Sequence, residues 1–323
     1  MGVKLSSLLL LTLPHLKHAS ETCEWSFTRA EELRVASVNA GTDRDPSVQD
    51  LVFQAFRDAI ACDPNDGDSW VRLVFLSPYE ADRAVLPHAP ASYVSSHFDR
   101  LSESFDTLME TVEYTAATSL AALIQKFQPP NSAKGWGQVL DLGCGTGLLG
   151  QALADRFPVF EALKGVDLSS KMIQLAHDRG IYSSFAEAEV SLYVTAASES
   201  AEVFYDIIVM ADVSGYLGKN LMHVVSKAVG CLVPRTGILA LTLELSSNNI
   251  ENFGSDETAT AVAAGGWVLP RRSLRFAHHL DTFLSVCKRS GFEILAAEVA
   301  PLRMDSGVPI QGAFIIMQLV SSP

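Results

Sequence analysis

Basic residues are scarce. The 323 residues carry 24 lysines and arginines against 37 aspartates and glutamates, a formal net charge of −13. A nucleic-acid footprint needs clustered cations to neutralise phosphates. The densest basic spot, Arg271, Arg272 and Arg275, is too small to follow a backbone, so no nucleic-acid partner is expected. The five cysteines, Cys23, Cys62, Cys144, Cys231 and Cys287, never form a C-x-x-C pair. Neither a metal site nor a disulfide framework is therefore expected, and a reduced compartment is the simplest reading. The apolar run Leu5 to Leu13 is too short to cross a bilayer. With Lys4 before it and Ala19 and Ser20 after it, the run has the outline of a secretory signal, while Met1, Gly2 and Ser6 fit an N-acylation pattern. An amphipathic helix packing on its neighbours fits as well. The expected location is cytoplasmic with a targeting segment left open, and membrane contact is not expected.

Against this background one stretch stands out, VLDLGCGTGLLG from Val139 to Gly150. β-Prone residues and an acid run into Gly143, Gly145 and Gly147, and a helix former, Leu148, follows. The pattern predicts a strand, a tight turn and a helix start. Glycines there permit positive φ and let a ligand approach bare backbone, and a helix start offers free N–H groups. Gly145, Gly147 and Gly150 also satisfy the dinucleotide pattern G-x-G-x-x-G. Asp141 tips the balance the other way: a carboxylate at the strand tip repels a pyrophosphate and suits a cationic ligand. S-adenosylmethionine (SAM), with its ammonium and sulfonium, is such a ligand.

Around this loop the chain alternates. Residues 1–90 read as helical, with Val52, Ala55, Phe56, Ala59 and Ile60 at helical spacing and a break at Asp63 to Gly67. Phe56, Ala59, Pro64, Trp70 and Leu73 resemble one junction of tetratricopeptide repeats, without a second copy. Pro87 to Pro90 reads as a linker, and 91–127 as two helices. Strands are expected near 138–142, 162–166, 205–210 and 237–243, with a short further strand and helix between 182 and 195 and helices between the others. A hairpin of 292–300 and 313–320 around the turn Arg303 to Gly307 closes the chain. The expected fold is an α/β, doubly wound, Rossmann-like sheet, with 1–90 as a helical extension and 91–323 as the main domain.

Asp167 ends the second strand, and its carboxylate can accept two ribose hydroxyls or cap the following helix. Leu168 then lines an adenine. Asp212 ends the fourth strand on the side where such sheets bind ligands, and Tyr216 follows on the loop. Glu244 and Arg275 extend this candidate acceptor wall: Arg275 would favour a carboxylate or phosphate, and Asp212 with Glu244 an amine. Asp212, His278 and His279 are the candidate bases.

VLDLGCGTGLLG closely resembles motif I of class I SAM-dependent methyltransferases, and the closing hairpin resembles their seven-stranded sheet, whose last strand runs antiparallel. HFDRLSESFD (97–106), GVDLSSKMIQLAHDRGIY (165–182), FYDIIVMADVSGYLG (204–218) and LRFAHHLDTFLSVCKRSGFEIL (274–295) resemble, more narrowly, the Williams-Beuren-type methyltransferase-like proteins and bacterial methyltransferases carrying a tetratricopeptide segment. Two departures, Leu101 and Phe276, stand where relatives often have tyrosine. The resemblance implies SAM bound by Asp141, Leu142, Gly143, Cys144, Gly145, Thr146, Gly147, Asp167, Leu168, Glu189 and Asp212, with Glu189 flanking the adenine. It implies methyl transfer to a small-molecule or protein acceptor. A methyltransferase fold that has lost catalysis and binds a protein partner through its helical extension is the alternative.

Overall fold

The computed structural model describes residues 27–77, 86–127, 136–157, 160–200, 202–246, 266–269 and 274–320. The apolar run 5–13, Cys23, Arg271 and Arg272 lie outside them. Three N-terminal helices come first: α1 (Phe27–Asn39), α2 (Pro46–Cys62) and α3 (Gly67–Leu76). Asp45 caps α2 by accepting from the Ser47 N–H at 2.9 Å, with Pro46 in its first turn, and Asp66 caps α3 in the same way through Ser69. The segment expected as two helices is three: α4 (Ala91–Leu101), α5 (Phe105–Thr111) and α6 (Ala116–Gln125). A 3₁₀ turn over Ser102–Ser104 separates the first two.

The sheet follows: β1 (Trp136–Leu142), α7 (Leu148–Ala154), β2 (Phe160–Asp167), α8 (Ser170–Asp178), β3 (Ser184–Glu187), α9 (Val190–Ser200) and β4 (Ile207–Met210). Then come α10 (Ser214–Leu217), α11 (Asn220–Cys231), β5 (Ile238–Glu244), a small pair β6 (Trp267–Val268) and β7 (Ala277–His278), α12 (Leu280–Arg289), β8 (Phe292–Asp305) and β9 (Val308–Leu319). Strand order is β3-β2-β1-β4-β5-β9-β8, with β9 antiparallel to both neighbours. This is the doubly wound sheet with an antiparallel close. Its order reverses between β1 and β4, where such sheets open a crevice.

Alternation along each strand feeds two cores. Leu140, Leu142, Ile208, Met210, Leu239 and Leu241 face α9, α11 and α12 on one side. Val139, Ile207, Val209, Ile238 and Ala240 face α6 and α7 on the other. The closing hairpin is longer than the sequence suggests. Pairing continues from Ala300↔Gly312 to Asp305↔Val308, through a register shift between Pro301 and Arg303. The expected turn Arg303 to Gly307 is therefore mostly strand, because a bulge at Leu302, next to Pro301, lets the ladder resume at Arg303. Cys62 is disulfide-bonded, contrary to the sequence expectation, while Cys144, Cys231 and Cys287 are free and buried. Regular spacing is one signature of a disulfide framework, and a single pairing carries none.

The N-terminal helices share a third core with the segment around β6 and β7. Leu33, Phe56, Trp70, Leu73 and Tyr93 gather with Trp267, Leu269 and Phe276. Trp70 stacks tilted on Tyr93 at 5.0 Å, and Trp267 meets Phe276 edge-on at 5.3 Å. The expected linker is bonded down: the Ala89 N–H donates to the Tyr216 carbonyl at 3.0 Å, and the Lys219 N–H to the Pro87 carbonyl at 2.7 Å. Short hydrogen bonds to a neighbouring loop give Pro87 to Pro90 a fixed course, which prolines alone do not reveal.

Phe276 is fully buried where these parts meet. Phe276→Ala should cost roughly 3–5 kcal/mol and lower the urea midpoint of the whole chain in one transition. Tryptophan fluorescence and far-ultraviolet circular dichroism should report the same midpoint. Two separated transitions would show that the N-terminal helices unfold independently.

Candidate functional site

The end of β1 turns sharply. The N–H groups of Gly143 and Cys144 both donate to the Val166 carbonyl, at 2.7 and 3.0 Å, which ties the loop to β2. Gly143, at φ +72°, lies against the Val213 side chain, where a Cβ has no room. Gly145, at φ +54°, differs: a Cβ there would meet nothing within 4 Å. That open space is the cavity itself, and a side chain would both strain the backbone and fill it.

Asp167 holds this loop in shape. Its Oδ2 accepts from the Gly145 N–H at 2.8 Å and its Oδ1 from the Ser169 N–H at 2.9 Å. Burial raises its carboxyl above the usual range, and these backbone donors pull against that. The cap of α8 is Ser169 and not Asp167: the Ser169 Oγ accepts from the Met172 N–H at 3.1 Å. Asp167 remains free of that duty and lines the cavity with Leu168.

Asp141 sits beneath the loop and not in the cavity wall. It is 1% exposed, and the Tyr182 hydroxyl donates to its Oδ2 at 2.6 Å. Burial pushes its carboxyl up to about 7, with the Tyr182 hydrogen bond opposing. Gly150, third glycine of the dinucleotide pattern, has a different use here. A Cβ on it would collide with the Tyr182 ring, so Gly150 admits the tyrosine that reaches Asp141. Leu142 is core, and Gly147 caps α7 at φ +86°; neither lines the cavity.

The cavity, about 310 Å³, lies over the loop and under α4 and α5. Both helices are latched to the sheet side. Ser169 Oγ donates to Asp99 at 2.5 Å, Thr146 Oγ1 donates to Asp106 at 2.6 Å, and Arg179 pairs with Asp106. Phe98 meets Phe105 and Tyr216 edge-on at 6.1 and 5.3 Å. Of the sequence candidates, Gly143, Cys144, Gly145, Thr146, Asp167, Leu168, Glu189, Asp212, Tyr216 and Arg275 all line it. Glu189 also accepts from Ser191 Oγ at the start of α9. Burial pushes the Cys144 thiol far up, which keeps it a small neutral side chain.

At the other end of the cavity four charges meet. Arg275 donates through Nε to Glu244 at 2.7 Å and through Nη2 to Asp212 at 2.5 Å. Arg303 donates through Nη1 to Asp212 at 2.9 Å and through Nη2 to Glu244 at 2.9 Å. Burial pushes the Glu244 carboxyl up, but the two guanidiniums outweigh it and hold it below the usual range. Burial likewise pulls Arg275 down, and Asp212 and Glu244 more than restore it. The Arg275 guanidinium also lies 4.7 Å over the Tyr216 ring. Arg303 is a residue that sequence reasoning missed, since the expected turn there hid its strand. His97 and Tyr114 line the cavity as well. His97 lies in the quoted HFDRLSESFD segment, and Tyr114 gave no local signal.

The paired histidines leave the site. His278 is completely buried, not half exposed as its position before a helix suggests, because β7 carries it under the sheet end. Its Nε2 donates to the Ser214 carbonyl at 3.1 Å, and its Nδ1 has no partner among the described residues. His279 precedes α12 and pairs with Thr282 Oγ1 at 3.1 Å. Neither lines the cavity, nor does Glu244.

Burial pushes the His278 imidazole down to about 4, with the Ser214 bond opposing. Folding therefore favours its neutral form, and unfolding takes up a proton below the ordinary value. Its contribution is present above pH 6.5 and lost as pH falls toward 4. His278→Asn should remove about 2 kcal/mol of stability change between pH 6.5 and 5. Asp141, raised instead, acts in the opposite sense in both proteins and cancels in the difference. Urea unfolding of the two proteins across that window checks this; parallel pH profiles would refute it.

Residues 140–239 match the family described as a methyltransferase domain. No curated protein matches the chain. Among solved structures it is similar to a chain of the complex between the Haloferax volcanii Trm112 methyltransferase activator and a methyltransferase. That match has 15% identity and a TM-score of 0.51, and covers 71% of this chain and 99% of that one. It is similar also to a SAM-dependent methyltransferase of Leishmania major, at 11% identity and a TM-score of 0.50, covering 70% and 82%. A third similar structure, at 16% identity and a TM-score of 0.48, covering 71% and 98%, is magnesium protoporphyrin IX methyltransferase from Synechocystis with bound SAH. Residues 140–239 thus carry a methyltransferase domain, set in a seven-stranded, doubly wound sheet with an antiparallel close.

Proposed function

We propose that the cavity holds SAM over Gly143 to Thr146 and presents its methyl group to a small-molecule acceptor. The observation that carries the reading is the open space over Gly145, bounded by the Asp167 carboxylate. Bare backbone at Gly145 admits close approach, and each Asp167 oxygen keeps a lone pair beyond its backbone bond, enough for ribose hydroxyls. Leu168, Glu189 and Val190 continue the wall where an adenine follows a ribose. Asp141 acts from below, fixing the loop through Tyr182 in place of touching the ligand.

Bound there, held by the Gly143 to Thr146 backbone and Asp167, SAM would supply an electrophilic methyl group for the acceptor and leave as a neutral thioether. The residues of this chain then orient and exclude water. The latched helices α4 and α5 cover the cavity, which supports a small molecule over a folded protein as acceptor. Where the acceptor's nucleophile carries a proton, His97 is placed to take it. It lines the cavity, and burial holds its imidazole below its ordinary pKa, so it is neutral near pH 7. Residues 91–323 carry this site, and the N-terminal extension buttresses it through His88 and Ala89.

Gly145→Val should abolish SAM binding measured by titration calorimetry while leaving the chain folded. Asp167→Ala should weaken it by about 1–3 kcal/mol, the cost of losing a charge-assisted partner. Wild-type affinity in a folded Gly145→Val protein would place the cofactor elsewhere.

A further inference from the structure

The geometry points to an uncharged, largely apolar small molecule as the methyl acceptor, seated between α5 and the tip of the β8–β9 hairpin. This rests on the cofactor reading above and names the acceptor class of the same site. The sequence alone favoured a charged acceptor, a carboxylate or phosphate on Arg275 or an amine on Asp212 and Glu244. The structure pairs these groups with one another. Two carboxylates and two guanidiniums form a closed square whose charges cancel, each side chain 10–17% exposed. The Tyr216 ring covers Arg275. A charged acceptor would have to displace a contact of this square and bring an uncancelled charge to a neutral, buried cluster, which costs more than a new pair returns.

The rest of this end is apolar. Leu108, Met109, Val112 and Met304 line it, together with Tyr114, which lies near enough to Asp212, Arg275 and Arg303 to feel their charges. The backbone closes it: the Met304 N–H donates to the Val112 carbonyl at 2.6 Å and the Thr115 N–H to the Leu302 carbonyl at 2.9 Å. The remaining acid of the wall, Asp305, is exposed at the hairpin turn and accepts from Ser306 Oγ. Apolar walls over a neutral floor reward burial of apolar surface and penalise an unpaired charge.

Benzyl alcohol, benzoate and benzylamine share one ring and differ in charge. With the full chain saturated with S-adenosylhomocysteine, saturation-transfer NMR should show benzyl alcohol binding at least about tenfold more tightly than either ion. Met109→Glu and, independently, Leu108→Gln should weaken that binding severalfold, with thermal midpoints reporting that each variant is folded. Preference for benzoate that disappears in Arg275→Gln, preference for benzylamine, or benzyl alcohol binding indifferent to both wall variants would overturn the inference, as would no binding of any of the three. Calorimetry of S-adenosylhomocysteine itself separates the two levels. Its failure to bind removes the cofactor reading together with this one, whereas its binding with the wrong ring preference removes only the acceptor class.

Discussion

Four stretches of chain meet beside the carboxyl end of β5, and the Asp212–Arg275–Glu244–Arg303 square is what holds them together. Its members come from the loop after β4, the last residue of β5, the chain just before β7, and β8. Each acid meets both guanidiniums, so removing any one member leaves a buried net charge, and the four positions constrain each other. Asp212 adopts φ +58° at this point, a conformation that aspartate tolerates better than most residues. Its N–H is satisfied by Thr242 Oγ1 at 2.7 Å, which fixes the turn from behind. The square thereby sets where Tyr216 lies, and Tyr216 in turn meets the roof through Phe98.

The glycine loop depends on a different kind of support. Its shape comes from carbonyl and carboxylate acceptors on the neighbouring strand, Val166 and Asp167, and from a buried acid below it. The residues that make the loop recognisable divide into those that face the cavity and those that shape it. Gly145 and Asp167 do the first. Asp141, Gly147 and Gly150 do the second, with Gly150 making room for the Tyr182 ring and Tyr182 bonding Asp141. An acid below the loop with a pKa near 7 costs stability when ionised, and the tyrosine hydroxyl offsets part of that cost.

The extension and the roof make the site of this chain its own. Helices α1 to α3 bury their apolar faces on Trp267 and Phe276, and the segment leading out of them bonds directly to the loop that carries Tyr216. Helices α4 and α5 then cross the cavity, held by Asp99 and Asp106. The wall itself comes from the segment that follows α3, through His88 and Ala89, and from the roof helices.

Local signals sufficed for much of this. A strand running into Gly143, Gly145 and Gly147, the alternation of β-prone and helix-prone segments, and the closing hairpin are set by backbone preferences and by periodicity over a few residues. They identified the fold and marked out the loop that borders the cavity. What the chain does with its charges was not legible. Arg303 lies 91 residues from Asp212 and Arg275 lies 31 from Glu244. In the sequence Arg275 looked available to an anion, and only the pairing of the β7 segment with the end of β5, Leu245 opposite His278, showed it already engaged. His278 and His279 looked alike as neighbours, yet a two-residue strand buries one and leaves the other at a helix start. Asp141 and Asp167 both looked like ligands for a cofactor. Their difference lies in depth: the pleat turns one under the loop and the strand end brings the other into the cavity, and depth is a property of the assembled sheet.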